Sequence, residues 1–201
     1  MKYLLSVLAL LIPSVSSAQF GGGAVGVYPD LTTAYCSIHD VPGPRTFYVV
    51  HRITFGSIGS RFRIEHSSGF TGTLLSSSSP FANVSGDPMT GVTVIYDGTC
   101  QPGNFHILTV NYMLYGGSPD CSWVRTAAHS ESTSGSVEVW DCNFQLLTAD
   151  WEGTHVDPGY GGPECPNDID YEEHTHFCCP YSEPVLSTRS ATWGAVKALY
   201  R

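Results

Sequence analysis

The run Thr46-Phe47-Tyr48-Val49-Val50-His51-Arg52-Ile53-Thr54-Phe55 limits the fold more than any other stretch of this chain. Branched and aromatic side chains lose rotamer freedom on a helix but pack well on a pleated surface, so the run is a strand. Gly56 to Gly59 then predict a turn into a second strand, Arg61–His66, which alternates apolar and polar residues. Further strands are expected at Val92–Tyr96, Ile107–Tyr115, 121–128 and 135–142, whereas Ser76 to Ser79 with Pro80 read as loop. No long helical spacing of apolar residues occurs before the C-terminus. About seven or eight short strands at roughly ten-residue spacing predict an all-β, antiparallel β-sandwich.

The compartment is read from the start of the chain. Lys2, the apolar run Tyr3 to Ile12, then Pro13 and Ser16-Ser17-Ala18 have the form of a secretory signal peptide cut after Ala18. That run is too short to span a bilayer, and no later segment is longer, so no transmembrane segment is expected. An exported chain meets oxidising conditions, which favour disulfides among its seven cysteines. The expected division is a leader at 1–18, an N-terminal lead-in at 19–45, and the β-sandwich at 46–152. An acidic, cysteine-rich segment and linker at 153–190 and a tail at 191–201 complete it.

Charge excludes one partner class. The formal net charge is −9, and between Arg125 and Arg189 no Lys or Arg interrupts twelve Asp and Glu. Nucleic-acid binding needs clustered basic side chains, so no nucleic-acid partner is expected.

One hairpin can be placed in register from the sequence. If strands 121–128 and 135–142 are antiparallel partners, Cys121 meets Cys142, Trp123 meets Trp140 and Arg125 meets Glu138 on one face. Opposed non-hydrogen-bonded positions lie about 4.5 Å apart, within disulfide reach. Cys121–Cys142 is therefore the expected bridge. Cys100 and Cys121 are separated by a strand of ~30 Å and cannot pair, which leaves Cys36 for Cys100. Cys165, Cys178 and Cys179 would supply one further pair and an odd thiol.

Residues 165–179 concentrate metal-ligand types. His174 and His176 fall on one side of an extended strand, with Asp168 and Asp170 close by. Imidazole and carboxylate could hold a divalent metal there, although no standard zinc or EF-hand spacing is present. Otherwise no cofactor is expected. No nucleophile elbow, zinc helix or phosphate loop appears, so no catalytic residue is assigned. Strand histidines such as His51, His66 and His106 read as surface or satisfied residues. Trp123 and Trp140 have two readings: a core pair beside a disulfide, or, with Trp151, a platform for sugar rings. Asn83-Val84-Ser85 fits the glycosylation sequon.

The tail differs in character. Thr192 can cap a helix in which Trp193, Val196 and Tyr200 share one face, with Lys197 and Arg201 suited to its C-terminal end. A short C-terminal helix follows, either docked on the domain or read as a sorting element. The ending Thr192-Trp193-Gly194-Ala195-Val196-Lys197-Ala198-Leu199-Tyr200-Arg201 resembles the shared C-terminus of a set of uncharacterised secreted bacterial proteins. Arg61-Phe62-Arg63-Ile64, Tyr96-Asp97-Gly98-Thr99-Cys100 and Asp141-Cys142 are similar to their cysteine-bearing strand body. The resemblance implies an exported bacterial β-sandwich with a sorting role for the tail, and no activity.

The function expected is that of a secreted or surface-attached, non-enzymatic protein with a binding or structural role toward an extracellular protein or glycan. The alternatives are an extracellular hydrolase acting on polysaccharide, or a metal-binding module built on residues 165–179.

Overall fold

In a computed structural model of the chain, residues 22–33, 35 and 37–156 are described. Every regular element among them is a strand: β1 (Ala24–Tyr28), β2 (Ser37–Ile38), β3 (Gly43–His66), β4 (Gly72–Ser78), β5 (Asn83–Asp87), β6 (Gly91–Ile95), β7 (Gln101–Leu114), β8 (Ser122–Ala127), β9 (Val137–Asp141) and β10 (Leu146–Val156). The chain folds as the expected all-β sandwich.

Its organising element is β3. The first half of β3 pairs antiparallel with β1 on one side and β7 on the other, and β7 carries β4 at its outer edge. The second half pairs with β6, which carries β5, and on its other flank with β9 and then β8, placed end to end. Strand β10 runs along the far side of β9 and β8 and is joined in parallel by β1 and β2. Strand β1 joins β10 to the first half of β3, while β8 and β9 join β10 to the second half, so the ladder closes round and the two halves of β3 belong to opposite layers.

The chain crosses between layers where the ladder to β7 slips twice, between His51 and Thr54 and between Thr54 and Ser57. The turn expected at Gly56 to Gly59 is thus a bend within one 24-residue strand. Bulges of this kind bend a strand and raise its twist without ending its pairing.

The lead-in proves to be part of the fold. All five residues of β1 are buried, and they close the seam between the layers. Thr126 Oγ1 and Thr154 Oγ1 each donate to a carbonyl of β1, at 2.5 Å to Val25 and 2.7 Å to Val27. Ser76 to Ser78, expected as loop, lie in β4, which pairs with β7 from Gly72 to Ser78 except at Leu75.

Apolar residues from all sides fill the interior, among them Val25, Phe47, Phe62, Val94, Tyr96, Phe105, Ile107, Val110, Tyr112 and Val124. Phe81, in the connection from β4 to β5, packs against Tyr96 at a tilt and against Phe105 edge-to-face, at centroid distances of 4.9 and 6.3 Å. His51 is fully buried and satisfied. Its Nε2 lies 2.5 Å from the Gly22 carbonyl, which can only accept, so Nε2 carries the proton. Nδ1 then accepts from the Tyr96 hydroxyl at 3.2 Å. Burial holds this imidazole down at about 4 and pushes the Tyr96 phenol up.

Candidate binding surface

The expected hairpin does not form. Between β8 and β9 the chain passes from one end of the second half of β3 to the other, and both strands use β3 and β10 as neighbours instead of each other. Cys142 is bonded to Cys100, with Cα atoms 5.3 Å apart. This corrects both expected bridges, Cys121–Cys142 and Cys36–Cys100. Cys121 is disulfide-bonded in its own right. The rejection of a Cys100–Cys121 link holds, since β7 lies between them.

The charge pairs resolve in the same way. Glu138 meets Arg61 on β3, while Arg125 meets Glu65, also on β3, at 2.5 Å. Burial would raise the Glu65 carboxyl, but hydrogen bonds and charge from Arg125 and Arg63 outweigh it and hold the group below its ordinary value. The balance at Glu138 is similar, with Arg61 and Ser134 as the opposing donors.

Trp123, Trp140 and Trp151 are half-buried, and Trp123 and Trp140 do not form a core pair. Trp123 faces His155 across the ladder, and Trp140 faces Leu146 on one side and Gly59 on the other. The Arg125 guanidinium carbon lies 4.3 Å from the Trp123 ring centroid and 4.1 Å from that of Trp151. Gly153 is the residue opposite Arg125, and a Cβ there would sit 2.6 Å from the Arg125 Cβ. The missing side chain leaves room for Arg125 between two indoles, a cation–π arrangement. A sugar platform on Trp123 and Trp151 would have to do without the ring faces that Arg125 occupies.

A second surface lies where β3 crosses layers. Phe55 is 79% exposed, Ile53 61% and Phe144 76%. Ile53 has φ of 54° and Phe144 has φ of 62°. A branched side chain in the left-handed region is rare and strained, so surrounding structure has to impose it. Here the Ile53 N–H donates to the Asn104 side chain at 2.7 Å. The Cys100–Cys142 bridge is seated against Gly56, whose added Cβ would lie 2.6 Å from both Sγ atoms. Gly56 itself has φ of 150°.

The opposite wall comes from the turn between β9 and β10. Asp141 Oδ1 accepts from the N–H groups of Asn143 and Gln145, each at 2.8 Å, and fixes that turn. Between the walls is a cleft of about 280 Å³ lined by Gly22, Thr54, Phe55, Cys142, Asn143 and Leu147, among others. The result is an exposed apolar crest on a braced backbone. Sequence reasoning missed it, because apolar residues inside a strand-forming run read as core.

Several expected sites lie outside the described residues: Cys36, Cys165, Cys178 and Cys179; the metal set His174, His176, Asp168 and Asp170; and the tail set Trp193, Val196, Lys197 and Tyr200. The expected C-terminal helix lies there too. Among the described residues no cluster of three or more His, Cys, Asp or Glu comes together to hold a metal ion.

No protein-family model matches the chain, and no curated protein does. Among solved structures it is similar to the sixth cohesin of scaffoldin B from Acetivibrio cellulolyticus, solved in complex with a Cel5 dockerin mutant. That match has a TM-score of 0.47 at 10% identity and covers 69% of this chain and 99% of that one. It is also similar to a non-cellulosomal cohesin from the archaeon Archaeoglobus fulgidus, with a TM-score of 0.34 at 9% identity over 70% and 96% of the two chains.

Proposed function

We propose that this protein is an exported binding module without catalytic activity, and that it takes an extracellular protein partner on the crest formed by Ile53, Phe55 and Phe144. The observation that carries this reading is the strained, solvent-facing Ile53 beside an almost fully exposed Phe55. A left-handed branched residue and an exposed aromatic both oppose stability and solubility, so their coincidence at a braced site points to recognition. The bridge between Cys100 and Cys142 supports export, because such bonds persist in oxidising compartments. The tail at 191–201 fits this role as a sorting or anchoring element.

A photo-crosslinking side chain at position 144, used on the mature chain with the producing cell's envelope and secreted fractions, identifies the partner. Calorimetry with that purified partner then tests the site. Phe55→Ser should weaken binding by roughly 30-fold, the scale of an aromatic hot spot. Retention on polysaccharide that Trp151→Ala abolishes and Phe55→Ser leaves intact would overturn the reading in favour of a glycan. Unchanged affinity in Phe55→Ser would overturn it as well.

A further inference from the structure

The seam at β1 and β10 closes one side of the sandwich, and the opposite side is left to the outermost strands β4 and β5. Both come from one piece of sequence. From Ser67 to Gly86 there is no Asp, Glu, Lys, Arg or His, in a chain whose formal net charge is −9. Natural edges are commonly blunted by charge, proline, shortness, a bulge or a covering segment. Strand β5 has only five residues and ends on Gly86 and Asp87. Strand β4 has seven, contains no proline, and among the described residues pairs only with β7.

The centre of β4 is its most telling point. Leu74 pairs with Tyr112 and Ser76 with Asn111, so Leu75 is the extra residue of a bulge and has no partner on β7. Its side chain is 55% exposed. Leu75 is also the midpoint of the strand Gly72–Ser78. We propose that β4 is a self-pairing edge, on which a second copy of this chain adds its own β4 antiparallel about a two-fold axis at Leu75.

That symmetry sets Leu75 against Leu75 of the copy, with Thr73 opposite Ser77 and Gly72 opposite Ser78. Leu74, already packed on the core, would face Ser76 of the copy. A closed two-fold contact uses the same patch twice and stops at two copies. Charge selects this occupant. Two copies of the same net negative charge repel one another over most of their surfaces, and the stretch 67–86, which meets Asp40 only at Thr71 and Asp97 only at Ala82, is where they can approach with least opposition. Cross-strand hydroxyl pairs and an apolar pair are the side-chain partners that stabilise such a ladder.

Sedimentation velocity of the mature full-length chain across the micromolar range tests this. The expected result is a reversible monomer–dimer equilibrium that shifts toward dimer as salt screens the net repulsion. Leu75→Lys, which would place two ammonium groups face to face, should weaken dimerisation by at least about tenfold. Ser85→Lys on β5 should leave it unchanged, as should Phe55→Ser on the crest, which separates this proposal from the reading above. Circular dichroism and melting of each variant confirm that the fold is kept. A chain that stays monomeric at every concentration and salt overturns the proposal. So does a dimer that Leu75→Lys leaves intact, or one that disperses on mild reduction because a thiol holds it.

Discussion

Arg52 Nη1 lies 3.2 Å from Glu152 Oε2, joining the first half of β3 to β10 with β1 between them. Arg52 is only 2% exposed, and the Tyr28 hydroxyl also donates to the Glu152 carboxylate. Removing one member of a buried pair strands the other charge away from water. Arg52→Met should therefore lower the unfolding free energy by about 3–5 kcal/mol. Arg52→Met with Glu152→Leu should recover much of that loss. Urea titrations of the two variants and the parent measure both effects.

Gly56 gives a second test. Alanine there meets a strained φ and two sulfur atoms at once. Gly56→Ala should cost roughly 2 kcal/mol or more with the bridge intact, by combined backbone strain and overpacking. Part of the penalty should vanish in a Cys100→Ala, Cys142→Ala background, because the clash is with the Sγ atoms. Melting curves of the four proteins form the cycle.

At Ile53 the expected sign is opposite. The side chain is mostly solvated and its φ suits Gly or Asn. Ile53→Gly should raise stability by about 1 kcal/mol, through relief of the left-handed strain. The same substitution should weaken partner binding at the crest. Such opposed effects are the mark of a site that trades stability for recognition. A variant both less stable and equally able to bind would count against that assignment.

Acid should act through His51. Its folded value of about 4 lies below the ordinary 6.5, so the unfolded chain binds more protons between those limits. Stability contributed by the neutral ring is complete above pH 6.5 and is lost as pH falls toward 4. Its full size is of the order of 3 kcal/mol. Burial pushes the Glu152 carboxyl up to about 7, which runs the other way: that contribution falls as pH rises from 4.5. The difference between wild type and His51→Gln isolates the histidine. Wild type should lose its advantage over the variant as pH drops from 6.5 to 4, followed by melting temperature.

The strands were legible where their residues alternate or branch, as at Arg61–His66 and Val92–Ile95. β1 was not. Ala24-Val25-Gly26-Val27-Tyr28 is short and sits beside Gly21-Gly22-Gly23, so local composition masks a strand whose burial comes from neighbours far along the chain. The misplaced hairpin has an instructive cause. Arg125 and Glu138 each have an opposite charge opposite them, but β3 supplies both partners, Glu65 and Arg61. A register argument between two strands cannot reveal a third strand that serves them end to end. The crest was hidden for a related reason: whether Phe55 points to solvent depends on a bulge, and bulges leave no trace in apolar periodicity.

The single strand shared by both layers also fixes how the molecule comes apart. Neither sheet can peel from the other while β3 stays intact, because each half of its ladder is anchored by the remaining half. Hydrogen exchange should find amides of Val49 and Phe62, in opposite halves, released in one common opening event. In this protein the continuous backbone at Thr54–Ser57 is the hinge pin of a book that cannot be opened page by page.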